Sequence, residues 1–395
     1  MKKITTILKI TLIVCLVAFA TSAMIMTTQA KPKYVISPKS KPINNWQYGK
    51  KNHHYVLLRS ILKKLEKKHG GTIVLKKGKY TISNTLYVPS NVTIKFKKGV
   101  KLIKGKKTGT SQYKASNTMF QFVRDSKQKK KNFTKKYKGE KNIKFIGAKG
   151  VTIDMKNFNS NGTKEIGIVM ANNKNVVFKN ITFKNVKMGH IIEMDGCKNV
   201  SFQKCTFKNM KDNKYHNKEA VNIDTNDKKN NAFSQKWSKS DKTPNYNIKF
   251  NKCKFENLVR GIGTHQYSEN KYHTKIKITN CTFTKCKTPL GIINWKDSII
   301  TNNTMKNCKS NSRYDYTILM AGAKNPTFTN NVFDNCKSAN VIKFYYRYQT
   351  SHHTYPYTYS ELSKANIKDL ANNKAINGTK KYFDAKDYGR IKFSG

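Results

Sequence analysis

The chain has 395 residues, 78 lysines and arginines against 21 aspartates and glutamates, and a formal charge of +57 at pH 7. A field of that size gathers polyanions, and the lysine density argues against a calcium site, which needs six or more oxygen ligands. Beyond the first 30 residues no stretch is apolar enough to span a membrane.

Residues 1–30 read as a secretory signal, with Lys2 and Lys3 at the basic end, an apolar stretch from Ile7 to Ala20, and a cleavage site at Thr28-Gln29-Ala30. The mature chain is then expected to begin near Lys31 and to be secreted. A secreted protein meets little nucleic acid, which removes that class of partner. Outside a bacterium the polyanions are teichoic acids, acidic polysaccharides or anionic host glycans. The expectation is a protein held at the cell envelope by charge. Residues 31–51 read as a basic linker.

From residue 52 the chain acquires order. Val56, Leu57, Ile61, Leu62 and Leu65 form an apolar stripe at helical spacing, suited to covering one end of a stacked structure. Gly70-Gly71 ends it, and alternating strands follow at Thr72–Leu75, Lys79–Ile82 and Leu86–Val88. Similar segments start at Asn91 and Asn142, with a basic, loop-like stretch between them.

Between about Asn175 and Asn335 one phrase recurs. It reads Asn-Val-Val-Phe-Lys-Asn-Ile-Thr-Phe-Lys-Asn at Asn175, and returns at Asn199, Asn247, Lys275, Ser298 and Pro326. Its anchor position is Asn180, Cys205, Cys253, Cys281, Asn303 and Asn331, with gaps by subtraction of 25, 48, 28, 22 and 28 residues. Period-two alternation broken by Asn at that repeat length is one coil of a parallel β-solenoid. Asn suits the bend, where its side chain tolerates left-handed backbone and pairs with nearby amides. The long gap holds a polar insertion, roughly residues 226–245, which carries Trp237. Seven cysteines remain after Cys15, six of them in two columns: Cys205, Cys253 and Cys281, then Cys286, Cys308 and Cys336. An odd count and ladder spacing predict free buried thiols rather than a disulfide framework.

Three segments that follow the phrases concentrate charge in a chain poor in acids. They are Gly189–Asp195, Glu219–Asp224 and Arg260–His265. Alternation assigns Ile192, Met194, Val221, Ile223, Ile262 and Thr264 inward. It places Asp195, Asp224 and His265 in one outward column, with Glu193 and Asn222 beside it. Candidate catalytic residues are Asp195, Asp224, His265, Glu193, His190 and Arg260. In a lyase His190 or His265 is the base and Arg260 neutralises a uronate. In a hydrolase two carboxyls such as Asp195 and Asp224 divide acid and base work. Asn222, Glu219, Tyr267, Trp295 and Trp237 are candidate substrate-binding residues, with Tyr215 and Tyr272 as further groove aromatics. No metal and no cofactor is expected. A hydrogen-bonded polar ladder without chemistry is the competing account of the column. Residues 360–395 read as a C-terminal cap or tail, with a helix over 360–373.

The order of a helix, Gly70-Gly71, a strand, Gly78-Lys-Tyr80 and a strand at Pro89-Ser90, followed by the repeats, resembles the right-handed parallel β-helix proteins of the pectate lyase superfamily. The resemblance covers about Asn52 to Phe344. It implies an all-β, right-handed solenoid over 52–359 with an N-terminal capping helix. That architecture hosts lyases, hydrolases, epimerases and adhesins, so it leaves function open. Pectate lyases use an aspartate-rich calcium cluster that matches here only in part, and the paired aspartates of polygalacturonases match no single contiguous motif. Two functions stand. One is a secreted polysaccharide lyase or hydrolase acting on an acidic glycan. The alternative is a non-catalytic surface adhesin or wall-polymer-binding protein.

Overall fold

A computed structural model describes residues 30–158, 164–211, 218–227, 235–265, 271–309, 316–337, 340–344, 359–379 and 391–394. Of the expected signal segment, 1–30, residues 1–29 lie outside these residues. The chain divides into Met1–Pro32 and Lys33–Gly395, and the second unit carries the fold described here. Among the described residues no helix is long and apolar enough to cross a membrane.

Each coil lays down three short strands. A representative coil is Lys174–Lys179, Thr182–Lys187 and His190–Asp195; the next is Lys198–Gln203, Thr206–Lys211 and Glu219–Asp224. Where no loop intervenes, the second and third strands run together, as in Lys254–Gly263 and Thr282–Ile293. Every coil pairs in parallel with its neighbours. The first-strand stack runs through ten strands, from Lys33–Ile36 to Thr327–Thr329. Lys33–Ile36 pairs with Gly71–Leu75, so the stretch expected to be a linker supplies the outermost strand of that stack.

The register follows from the phrase. Phe145, Phe178, Phe202 and Phe250 occupy one ladder position in four successive coils. Their rings stack at 4.9 Å between Phe178 and Phe202 and 4.8 Å between Phe202 and Phe250. Phe183, Phe207, Phe255 and Phe283 form a second column, with centroids 5.3, 4.9 and 4.6 Å apart. These distances approach the strand separation of about 4.8 Å, so in each column the ring of one coil packs directly on the ring of the next.

The bend between first and second strands refines the sequence reading by one residue. Register aligns Asn180 with Lys204, so the buried anchor of the first copy is Ile181, not Asn180. The residue before each anchor takes the left-handed conformation: Asn180, Lys204, Lys252, Asn280, Asn302 and Asn330, with φ between 52° and 58°. Lysine therefore accepts this position twice. The buried asparagine anchors form a ladder. Asn331 Oδ1 accepts from Asn303 N (3.0 Å) and Asn303 Nδ2 (2.9 Å), and Asn373 Oδ1 accepts from Asn331 Nδ2 at 2.9 Å. A second, outer ladder links Asn91, Asn142, Asn175, Asn199 and Asn247 through side-chain amides at 2.8–3.0 Å. The seven cysteines Cys197, Cys205, Cys253, Cys281, Cys286, Cys308 and Cys336 are free thiols, all buried.

The helix His53–Lys67 buries Leu57, Ile61, Leu62 and Leu65 against the first coil. Lys64 and Lys67 sit in its last turn, where cations favour the helix dipole. Gly70 then turns the chain at φ 123°, and a Cβ there would lie 2.5 Å from Asn91 O, so only glycine fits. At the other end the helix Lys364–Ala371 is capped by Ser363 and Asn366 and packs on Thr327–Thr329.

A buried carboxyl column between two apolar patches

The third-strand sheet places the candidate residues. His190–Asp195, Glu219–Asp224 and the end of Lys254–Gly263 lie side by side, with Ile192, Val221 and Ile262 at one register position. Those three side chains and Met194 and Ile223 enter the core. On the opposite face Glu193 neighbours Asn222, which neighbours Gly263, and Asp195 neighbours Asp224. His265 follows Gly263 by two residues and reaches Asp224.

The contacts are close. His265 Nδ1 lies 2.7 Å from Asp224 Oδ2, and its backbone N donates to Asp224 Oδ1 at 3.0 Å. Its Nε2 lies 3.0 Å from Glu219 Oε2, and Arg260 donates to Glu219 Oε1 at 2.9 Å. Asn222 Nδ2 donates to Glu193 Oε1 (2.9 Å) and Asp224 Oδ2 (3.1 Å). His190 Nδ1 faces the carbonyl of Glu219 at 2.7 Å and so carries the proton, and its Nε2 faces Glu193 Oε2 at 3.5 Å. Gly263 is part of the fit: a Cβ there would come within 3.0 Å of Glu219 Cγ.

The column is closed rather than the open groove that strand alternation suggested. Asp195 and Asp224 have no exposed surface, and Glu193 and Glu219 are 4% and 1% exposed. His265 and Arg260 form its edge, with side chains 18% and 15% exposed. The reason is what flanks the acids on the same outward face. One coil earlier, Val169 and Ala171 sit beside Glu193 and Asp195 and pack with Val123 under Trp237. On the other side Ile293, Leu319 and Ala321 cluster with Tyr316. The insertion carries Trp237 back across the coils. Its indole Nε1 donates to Gln121 Oε1 at 3.1 Å, Ser238 Oγ donates to Asn172 Oδ1 at 2.7 Å, and Thr134 N donates to Trp237 O at 2.9 Å.

Two expected groove aromatics are corrected by this packing. Trp237 is 1% exposed and holds the insertion down. Trp295 is fully buried in the main core, its Nε1 donating to Thr264 Oγ1 at 2.7 Å. Tyr267 and Tyr215 lie outside the described residues. Tyr272 stacks under the Lys324 ammonium, 4.9 Å from the ring centroid.

Burial divides the titrating groups. Glu193 is pushed up to about 7, by burial first and then by the Asp224 carboxylate. Asp195 is raised well above the usual carboxylate range by burial, then by the Glu193 and Asp224 charges and by a side-chain hydrogen bond shared with Glu193. Glu219 goes the other way. Burial favours its neutral form, but the His265 and Arg260 charges outweigh this and hold it well below the usual range. His265, which burial alone would lower, is raised to about 9 by Glu219 and Asp224. Facing carboxylates on both ring nitrogens, it is an imidazolium. Burial, then the nearby Lys218 charge, drops His190 to about 3, so this ring is neutral. Two carboxyls raised by burial, Glu193 and Asp195, therefore stand next to a Glu219–His265–Arg260 network whose charges support one another.

His190, Glu219 and His265 hold ligand atoms within 4.8 Å of one another. Arg260 and the His265 imidazolium already bring Glu219 the positive charge a cation would supply, so we assign no metal there.

Sequence reasoning missed four groups. Lys218 and Lys164 act electrostatically on Glu193 or His190. Glu165, fully buried, is raised to about 7 by burial and accepts from Lys187 N at 2.9 Å. His273 is fully buried behind the column and accepts from Asn245 N at 2.9 Å, while Asn245 Nδ2 donates to Asp224 O at 2.8 Å. The runs Ile166–Ala171 and Tyr316–Ala321 did carry a signal. Apart from Thr317 they carry no polar side chain and do not alternate, the mark of strands covered on both faces.

The family model described as a right handed beta helix region matches residues 123–305 and 237–354, together more than half of the chain. PfbA, a surface adhesin of Streptococcus pneumoniae, has a similar structure, with a TM-score of 0.62 at 17% identity over 84% of this chain and 78% of that one. Endo-xylogalacturonan hydrolase from Aspergillus tubingensis superposes with a TM-score of 0.50 at 12% identity over 83% of each chain. At such identities the likeness is one of fold. No curated protein sequence matches the chain.

Proposed function

Because the chain belongs to the right-handed β-helix family, we propose that it engages acidic polysaccharide at a bacterial cell surface and hydrolyses it at the carboxyl column. The carrying observation is the split among the carboxyls: burial raises Glu193 to about 7 and Asp195 well above the usual carboxylate range, while His265 and Arg260 hold Glu219 well below it. Environments that push neighbouring carboxyls apart assign acid and base roles. Glu193 is the proton donor to the leaving glycosidic oxygen. Asp224, which accepts three hydrogen bonds and donates none, serves as the base that activates water. The Arg260 and His265 cations at the edge receive the anionic sugar.

Hydrolysis is favoured over β-elimination because, among the described residues, the column offers no suitable imidazole base. His265 is already protonated, and His190, held near 3, is too weak a base to take a proton next to a uronate carboxyl. The deciding experiment incubates the protein with a panel of acidic polysaccharides. New reducing ends without ultraviolet absorbance from unsaturated uronate support hydrolysis; the unsaturated product would move the assignment to a lyase. Activity should fall as pH rises through about 7, where Glu193 loses its proton. A kcat/KM profile that rises across that range removes Glu193 as the acid.

A second reading has its own observation. Asp195 and Asp224 have no exposed surface, which suits a ladder that organises a binding surface without chemistry. On this reading the protein is an adhesin, as PfbA is described, and the panel shows binding without new reducing ends.

The charge of +57 supports retention on the anionic envelope in either case. A wash in molar salt, where the screening length shrinks to about 3 Å, should release the protein. Retention through that wash would indicate a covalent or shape-specific anchor.

A further inference from the structure

We propose a second ligand site, a cationic groove for a carboxylated sugar chain, on the first-strand stack and so on a different sheet from the carboxyl column. It rests on the reading that the protein engages acidic polysaccharide, and it adds where the polymer is held. A cavity of about 490 Å³ opens between Lys136, Tyr137 and Lys138 on one side and Lys174 and Lys198, with Asn175 and Asn199, on the other. Among the described residues four ammonium groups line it, and no carboxylate does.

Two features make this more than a share of the general positive charge. The first is register. Lys141, Lys174 and Lys198 occupy the same ladder position in three successive coils. Like charges facing each other across neighbouring strands are destabilising, and here they recur at about 4.8 Å. Lys174 and Lys198 are half-buried, so solvent screens them less than it screens lysines on the open sheet. The Lys198 ammonium lies 5.0 Å from the Tyr246 ring centroid and 5.7 Å from that of Tyr137, two faces that hold a cation in place. An anion bridging successive coils offsets this repulsion.

The second feature is a fixed wall. Lys136 takes a left-handed backbone at φ 49°, and its N donates to Asp241 Oδ2 at 2.7 Å. Tyr137 Oη donates to Pro244 O at 2.8 Å. Both partners belong to the insertion pinned by Trp237. The insertion thus positions one side of the groove before any ligand arrives, which lowers the ordering cost of binding. The outer ladder, in which Asn199 Nδ2 donates to Asn175 Oδ1 at 3.0 Å, runs along the other side. Side-chain amides beside a row of ammonium groups match a polymer that presents hydroxyls and carboxylates in regular alternation. An acidic sugar chain has both; a polyol phosphate differs in the anion.

The test measures binding of an oligouronate to the full-length protein by titration calorimetry, with turnover recorded separately. The variant Lys174→Gln/Lys198→Gln is compared with Lys249→Gln/Lys277→Gln. The control pair is also stacked in adjacent coils of the same sheet, is exposed, and removes the same charge. Both variants should unfold at the temperature of the parent protein. The groove pair should weaken binding by about tenfold and the control pair by less than about twofold. Equal weakening by the two pairs overturns the groove, because the net field alone then explains binding. Tighter, groove-dependent binding of a polyol phosphate overturns the sugar assignment. Groove-dependent binding without cleavage leaves the groove standing and removes the hydrolysis reading; cleavage with groove-independent binding does the reverse.

Discussion

Asp224→Asn is expected to lower turnover of an acidic polysaccharide by about two orders of magnitude or more, the scale of losing a general acid–base group. Asp224 is the junction of the column. It accepts from the His265 ring and backbone and from Asn222. It is also among the groups that raise Glu193 and Asp195. The amide is nearly isosteric but lacks the charge and presents one acceptor oxygen. It therefore removes the base and at the same time loosens the hold on the acid's proton. The alkaline limb set by Glu193 should consequently move to lower pH. Substrate affinity should largely survive, since the cations that receive the polymer remain. His265→Ala should cost turnover as well, because Glu219 then loses one of its two counter-charges. Unchanged turnover in both variants would place catalysis elsewhere.

Phe202→Ala is expected to destabilise the fold by about 3–5 kcal/mol. Its ring is fully buried, stacked on Phe178 and Phe250 at 4.9 and 4.8 Å, and edge-on to Phe207 at 5.8 Å. Removing it opens a void that both columns border. The backbone cannot close that void, because ladder hydrogen bonds to the coils above and below hold the strand. The midpoint of urea unfolding measures the change. A loss under about 1 kcal/mol would mean that the interior relaxes around the gap and that the rings are not close-packed.

Much of the fold was written in the repeat. Side chains in a strand alternate with period two, and each coil pairs with the next at a constant offset. A phrase that returns Phe at fixed places therefore dictates which rings stack, and Val221, Ile223 and Ile262 point inward for the same reason. The same logic brought Asp195, Asp224 and His265 together, because adjacent coils are neighbours in sequence and in space. The slip at Asn180, where Ile181 is the buried anchor, came from matching residue types rather than ring positions.

The environment of the column was not legible in this way. Periodicity says which face a side chain takes, not what covers that face. Trp237 reaches Gln121 across 116 positions, and no repeat predicts where an insertion lands. That long-range packing, with the apolar patch of Ile293, Leu319 and Ala321 on the far side, removes water from the acids. Desolvation then raises Glu193 and Asp195, while Glu219 and His265 keep their charges because they face each other, with Arg260 beside the one and Asp224 beside the other. The sequence by itself determined the coil, its register and the gathering of acids on three strands, since all of these depend on local alternation and a constant repeat. The tertiary structure alone decided that the acids are buried and which of them are raised and which lowered, since both depend on dielectric and on charges brought together from distant parts of the chain.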